Sequence, residues 1–502
     1  MAIADHFLRG EWPEAFNPYW SPLISWLVAP FLAIGVPGLV AIKLVCVLAG
    51  FGALWYLRRI IRLLHLSALL ESVALCTAAV MVIRFALIWI SPDLLTAAIV
   101  LYYLSIILSP GYANRSRAGL LCGIAGVIGY LAKAYNFYYF LIHFTLVSAF
   151  YWIRSTDTQR TRIVRHFAAG LIVFLLGCAP WIAVLSVRTG SLTLSTAGDW
   201  NRRIVGPNSP GPPQFYRLMP PSGPHAFSMW ENPSPSLLPA WSPLASIGNL
   251  KHQIRLTLSN LRGLLEIVNS TSWLSLAALL AFVVWGLSQT GLTRFLWLLI
   301  AFSIALMPAG YLLVTLRDRY GWESRYFWAG ILLVMMSGFA VINAAEHRLT
   351  PLARSTAIAA YTLSFAVAPL LDLIHTRYLG RNLYTISTVL KPVIPAGSRV
   401  ASCGQWNNGF GVAYYLGARF YGSTGITADE EEFRSILNPN RHPVGIPQQM
   451  TPEEIAHSLR SNHINYLLVW PDCRVQPAPD VLQEQLDLNG QLGDLKVYRL
   501  GS

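Results

Sequence analysis

HFAAGLIVFLLGCAPWIAVLSV, residues 166–187, is the stretch on which the fold turns. It runs for 22 residues without Asp, Glu, Lys or Arg, between Arg160, Arg162 and Arg165 on one side and Arg188 on the other. At about 1.5 Å of rise per residue, a helix of this length matches the roughly 30 Å hydrocarbon core of a bilayer. Similar runs recur at 37–57, 68–90, 92–109, 118–132, 135–153, 271–288, 293–316, 325–344 and 354–374. The pattern predicts an α-helical polytopic membrane protein of about ten spans. Composition agrees: of 502 residues, 54% are hydrophobic and only 12% charged, with mean hydropathy +0.47, which excludes an ordinary soluble domain.

The net charge of +13 falls largely in short links between apolar runs, where it reports topology rather than a nucleic-acid partner. Arg58/Arg59/Arg62, Arg115/Arg117, Arg154/Arg160/Arg162/Arg165, Arg294 and Arg348/Arg354 occupy every second link. The alternate turns, at Ser91-Pro92, Lys133-Ala134 and 317–324, carry fewer cations. The positive-inside rule puts the Arg-rich links in the cytoplasm, and the loop 188–270 and residues 375–502 outside, as in a bacterial inner membrane. The same register puts the N-terminus outside, yet MAIADHFLRGEWPE (1–14) is polar and has no signal segment. The expectation is that a first helix is missing upstream of Met1. Residues 21–34 are apolar but short, and read as a helix at the outer interface.

The outer loop 188–270 opens as a Pro/Gly/Asn-rich coil and closes in an amphipathic helix around 247–268. Ile247, Leu250, Ile254, Leu258, Leu261 and Leu265 recur there at helical spacing, with Lys251, Arg255 and Arg262 between them, as in a helix resting on a membrane surface. Residues 1–390 therefore form a membrane module and 391–502 a soluble extracytoplasmic α/β domain. Its strands are expected at 399–403, 419–421, 464–470 and 495–500. A helix begins at Thr451-Pro452-Glu453-Glu454, where N-cap, first-turn Pro and acidic first turn agree. Cys46, Cys76, Cys122 and Cys178 lie in apolar runs, which leaves Cys403 and Cys473 as the pair able to form a disulfide. No internal repeat supports a repeat-built transporter.

An ionisable side chain at mid-bilayer costs roughly 2.5–3.5 kcal/mol on insertion scales. Lys43 and Arg84 lie about two turns inside the outer ends of the first two spans, and Lys133, Arg188 and Arg325 lie at the outer ends of others. Asp93 opens the third. Cations gathered at this depth around one carboxylate suit a lipid-linked phosphate, and the carboxylate itself suits a polar acceptor or a divalent metal ion. The bland readings are snorkelling for the cations and a plain acidic helix start for Asp93. Trp12, Tyr19, Trp20, Tyr135, Tyr138, Trp200, Tyr216, Trp230 and Trp241 crowd the outer side, either as an interfacial belt or as sugar-stacking faces. Gly119, Gly123, Gly126 and Gly129 read as helix-packing positions. Gly409, Gly411 and Gly417 lack dinucleotide-binding spacing and follow no clear strand. One sequon, Asn269-Ser270-Thr271, carries little weight, and signatures of P-loop, HExxH, GxSxG or CxxC type are absent.

GEWPEAFNPYWSPLISWLVAPF (10–31) resembles the first outer loop and following helix of the GT-C glycosyltransferases, the group of the protein O-mannosyltransferases and the aminoarabinose transferase of lipid A. SPDLL (91–95), GIAGVIGYLAKAYNF (123–137), APW (179–181) and ESRY (323–326) look like further family landmarks, in family order. The resemblance implies inverting transfer of a sugar from a polyprenyl-phosphate carrier to a protein, lipid or glycan acceptor on the outer face. It also implies a carboxylate base in the first outer loop. The family's acidic motif would fall just before Met1, so Asp5, Glu11 and Glu14 are the carboxylates left in that segment. Asp93 and Asp5 are then the catalytic candidates, and Lys43, Arg84, Lys133, Arg188, Arg325, Tyr19 and Trp20 the substrate-binding ones. The alternatives are a non-enzymatic lipid-handling or transport protein, and a structural partner in an envelope assembly.

Overall fold

The computed structural model describes residues 1–209, 211–213, 217–314, 323–378, 380–425, 450–486, 492 and 494–501. Tyr216 and most of the link 317–324 lie outside the described residues. In chain order the helices begin with α1 (Ala2–Arg9), α2 (Trp12–Ala15), α3 (Leu23–Ala33), α4 (Gly38–Leu63), α5 (Ala68–Ile88) and α6 (Asp93–Ile107). They continue with α7 (Ala118–Ala132), α8 (Tyr135–Arg154), α9 (Asp157–Thr189), α10 (Ala197–Ile204), α11 (Ile247–Thr271) and α12 (Ser275–Ser288). Then come α13 (Gly291–Leu306), α14 (Trp328–Ala344), α15 (Pro351–His375), α16 (Arg381–Leu390), α17 (Trp406–Leu416) and α18 (Pro452–Ser461). Five strands follow residue 398: β1 (Arg399–Cys403), β2 (Arg419–Ser423), β3 (Tyr466–Val469), β4 (Leu482–Gln485) and β5 (Lys496–Leu500).

Two compact units result. The first takes in Ser21–Ser195 and Gln253–Arg377; the second takes in Ala2–Trp20, Thr196–His252 and Tyr378–Ser502. In the first unit every one of the ten apolar runs is folded as a helix. Among the described residues, six helical segments are long and apolar enough to cross a membrane, and a seventh crossing results if α11 and α12, bent by 102°, count as one. α6 and α7 have 15 residues each, about 22 Å of helix, shorter than the hydrocarbon core. Length and composition thus qualify six or seven of the described helical segments as crossings, against an expectation of about ten. Outward-facing Leu48, Phe51 and Trp55 on α4 and Leu176 on α9 are 61–68% exposed. A row of large apolar side chains this exposed needs lipid to cover it, and the chain is an integral membrane protein.

Small residues set the helix spacing in this unit. Gly119 and Gly123 on α7 stand against the backbone of α9 at His166 and Gly170, and a Cβ on Gly126 would lie 2.7 Å from the Phe140 ring of α8. Polar ties are few and internal. His143 on α8 joins Tyr103 of α6 at 2.7 Å and Ser303 of α13 at 2.9 Å, which satisfies a side chain with no exposed surface. In the first Arg-rich link, Arg58 and Arg62 pair with Glu71 at 2.6 and 3.1 Å.

The sheet of the second unit has the order β2-β1-β3-β5-β4, parallel from β2 to β3 and antiparallel beyond. Alternate residues face opposite sides. Val400, Phe420 and Leu468 pack with Val412 and Leu416 of α17, while Ala401, Tyr421 and Leu467 pack with Ile455 and Leu459 of α18. Thr451 and Glu454 form a reciprocal capping box at the start of α18, and Cys403 and Cys473 are disulfide-bonded. Gly409 and Gly411 do follow a strand, since α17 directly succeeds β1; Gly409 lies against Ser402 of β1.

Candidate functional site

The break between α5 and α6 and the break between α7 and α8 place two of the expected residues side by side. Pro92 stops α5 from continuing and Asp93 becomes the first residue of α6, its N–H facing the Ser91 hydroxyl at 3.4 Å. Lys133 closes α7 in an extended conformation (φ −157°, ψ 121°), and its carbonyl accepts from Asn136 N at 2.9 Å as α8 begins. Lys133 Nζ donates to Asp93 Oδ1. Arg325, in the 3-10 turn Glu323–Phe327 ahead of α14, has its Nε 3.6 Å from Asp93 Oδ2. One buried carboxylate, 4% exposed, therefore holds two cations, and the group carries a net charge of +1.

Aromatic faces complete it. Lys133 Nζ lies 3.9 Å from the Tyr326 ring centroid and 5.3 Å from that of Tyr311. These two rings are stacked at 4.7 Å, and Tyr135 meets Tyr311 at 4.1 Å. The Tyr135 hydroxyl donates to Met307 O at 2.8 Å and accepts from Gly310 N at 3.1 Å, which fixes the turn after α13. The residues line a small cleft of about 30 Å³ that also touches Asn136, Tyr139 and Trp328.

The other expected residues have other surroundings. Lys43 Nζ donates to Leu87 O at the end of α5, a carbonyl left open by the helix terminus. Arg84 is ion-paired with Asp372 of α15 at 2.6 Å. Arg188 is exposed near the end of α9. Tyr19 is buried in the second unit with Trp200, Met229 and Leu238. Trp20 packs at its edge and donates through Nε1 to Trp230 O at 3.1 Å. Asp5 lies on α1, where burial raises its pKa, Arg9 and His6 opposing. Beside it His6 is clamped by Glu11 at 2.6 Å and Glu231 at 2.7 Å. Sequence reading overlooked Asp372, although a carboxylate inside the apolar run 354–374 was a visible signal. Tyr311 was missed, since it looks like any other interfacial aromatic, and Tyr326 entered only as the last residue of the ESRY landmark (323–326).

Both oxygens of Asp93 face cations, so this carboxylate suits the expected divalent ion poorly. Among the described residues no three His, Cys, Asp or Glu side chains come together to hold a metal. The donor set is instead one for an anion: an ammonium, a guanidinium and ring hydroxyls around a small cleft.

No protein-family model matches the chain, and no curated protein matches its sequence. Among solved structures it is similar to ArnT from Cupriavidus metallidurans bound to undecaprenyl phosphate, with TM-score 0.53 and 14% identity, over 99% of this chain and 91% of that one. The apo state of the same protein gives TM-score 0.49 and 14% identity over the same shares. The chain has the fold of ArnT over nearly its full length.

Proposed function

We propose that the protein transfers a sugar from a polyprenyl-phosphate donor to an acceptor on the extracytoplasmic face of the membrane. The observation that carries this reading is the Asp93–Lys133–Arg325 group: two cations fixed on one carboxylate beside a small cleft, with one positive charge in excess. Its support at the level of fold is the likeness to ArnT, whose structure holds a carrier of this chemical class.

The donor is a phosphodiester bearing one negative charge, and transfer releases a phosphomonoester able to carry two. The bond from the sugar's anomeric carbon to the phosphate oxygen breaks with its electrons remaining on that oxygen. The acceptor oxygen bonds the anomeric carbon from the opposite face, so configuration inverts. Lys133 and Arg325 face the phosphate as its charge grows, which stabilises the transition state more than the ground state. Asp93 holds the two cations at one place and keeps them from repelling each other apart. A carboxylate must accept the acceptor's proton. The sequence resemblance puts Asp5, on α1 of the second unit, forward for that role, and burial raises its pKa. The sequence pattern of Arg-rich links supports an extracytoplasmic face for the second unit.

The test is transfer from a labelled polyprenyl-phosphate sugar by the full chain in liposomes. Asp93→Asn and Lys133→Ala are each expected to abolish transfer with membrane insertion intact, and Asp5→Asn to reduce it by at least about 10²-fold, the range of a lost general base. Unchanged turnover in the first two variants overturns the proposed site. Carrier binding without any transfer by the wild type would support the lipid-handling alternative.

A further inference from the structure

Three neighbouring tyrosines from separate segments have no part in that mechanism, although two of them, Tyr311 and Tyr326, stack beneath Lys133 and the third, Tyr135, leans on Tyr311. Tyr135 opens α8, Tyr311 opens the 3-10 turn Tyr311–Leu313, and Tyr326 lies in the turn ahead of α14. Tyr326 also touches the second cation: the Arg325 guanidinium lies 5.0 Å from its ring centroid, and Arg325 Nη2 donates to its hydroxyl at 3.1 Å.

Resting on the functional reading above, we propose that Tyr311 and Tyr326 are positioning residues that set where the Lys133 ammonium is presented to the carrier phosphate. A lysine has four rotatable side-chain bonds, and Asp93 alone fixes only one contact of the ammonium. A ring face attracts a cation through its quadrupole without supplying a competing negative charge. The stack therefore confines Lys133 and leaves its charge available to an incoming anion. A second carboxylate in the same place would neutralise the site, and an aliphatic residue would leave the ammonium free to swing. Tyr326 is the nearer face. Tyr311 holds Tyr326 at an interplanar angle of 4° and is itself braced by Tyr135. The ring, not the hydroxyl, is the active feature of Tyr311.

The experiment measures binding of undecaprenyl phosphate and of uncharged undecaprenol to the purified full chain in detergent. Tyr311→Leu is expected to weaken the phosphate-bearing lipid roughly tenfold, the size of a cation–π contact in a desolvated site. The same variant should bind undecaprenol as the wild type does. Tyr311→Phe, which keeps the ring, should stay within about twofold for both lipids. Equal loss for both lipids in Tyr311→Leu overturns the proposal, because it would report general damage to the cleft. So does wild-type phosphate binding in Tyr311→Leu, or a loss in Tyr311→Phe equal to that in the leucine variant. If Tyr311→Leu does not insert, Tyr326→Leu removes the nearer face and carries the same expectations. A wild type that does not distinguish the two lipids defeats the functional reading itself, which separates that failure from the failure of the tyrosines' role.

Discussion

Asp93 is paired with Lys133 and Arg325, and removing one partner is not the same as removing the group. Lys133→Ala leaves a carboxylate that is 4% exposed facing Arg325 alone at 3.6 Å, which should destabilise the first unit by about 3 kcal/mol, as for a broken buried pair. Asp93→Asn with Lys133→Ala takes the carboxylate from Arg325 as well, so it should recover none of that loss, and carrier binding stays lost. Thermal unfolding in detergent checks the first point, and lipid binding checks the second. Arg84 gives the opposite expectation. Its guanidinium is engaged by Asp372, so Arg84→Ala should leave carrier binding within about twofold, less than the loss of a charged hydrogen bond to phosphate.

At the scale of elements, the clasp between α1 and the segment 223–231 is the clearest test of the second unit. Both ring nitrogens of His6 face carboxylate oxygens, at 2.6 Å (Glu11) and 2.7 Å (Glu231); only an imidazolium can donate to both. Burial lowers the His6 pKa, but the bonds to Glu231 and Glu11 outweigh it and the net shift is upward from 6.5. The Glu11 pKa is held below 4.5 chiefly by its bond to His6. A raised histidine contributes stability that is complete below its unfolded value and lost as pH rises through the folded one. A lowered glutamate contributes above its unfolded value and loses that contribution as pH falls through the folded one. The clasp is therefore strongest between about 4.5 and 6.5. His225, 3.5 Å from Glu11, Asp5 and Arg9 on α1, and Glu14, which accepts from His225 N at 3.4 Å, are titratable or charged neighbours of the clasp. His6→Gln should flatten the fall in unfolding temperature from pH 6.5 to 9; an unaltered slope would show that the clasp does not titrate there.

These elements were unequally legible in the sequence. Helices such as α4 and α9 announce themselves through unbroken apolar length, and α18 through Thr451 and Glu454 at capping-box spacing. The strand β4 does not: Leu482–Gln485 reads LQEQ and is mostly exposed at a sheet edge, where no burial enforces an apolar alternation. Asp93, Lys133 and Arg325 were legible because charge at the end of an apolar run is conspicuous. The Tyr311–Tyr326 stack and the His6–Glu231 contact were not, because each depends on pairing between distant segments, 225 residues apart for the clasp, with no local periodicity to mark it.

At the scale of the whole molecule, the composition that excludes a soluble fold also fixes how the chain should behave in a membrane. The Cys403–Cys473 bond spans 70 residues of sequence, and disulfides persist in oxidising compartments. On the proposed extracytoplasmic orientation of the second unit, membrane-impermeant maleimide should label neither Cys403 nor Cys473 in intact cells until a reductant is added. Labelling before reduction would contradict the bonded pair. On the chain-entropy account, reduction should lower the stability of this unit by about 4 kcal/mol for a loop of this length.

In the proposed function, Lys133 and Arg325, held on Asp93, receive the phosphate of a polyprenyl carrier. An experimental structure of the full chain with undecaprenyl phosphate tests it most directly. Phosphate oxygens are expected within about 3 Å of Lys133 Nζ and of the Arg325 guanidinium, with Tyr326 still beneath the ammonium. A phosphate bound elsewhere, with the Asp93–Lys133–Arg325 group intact and untouched, would contradict it.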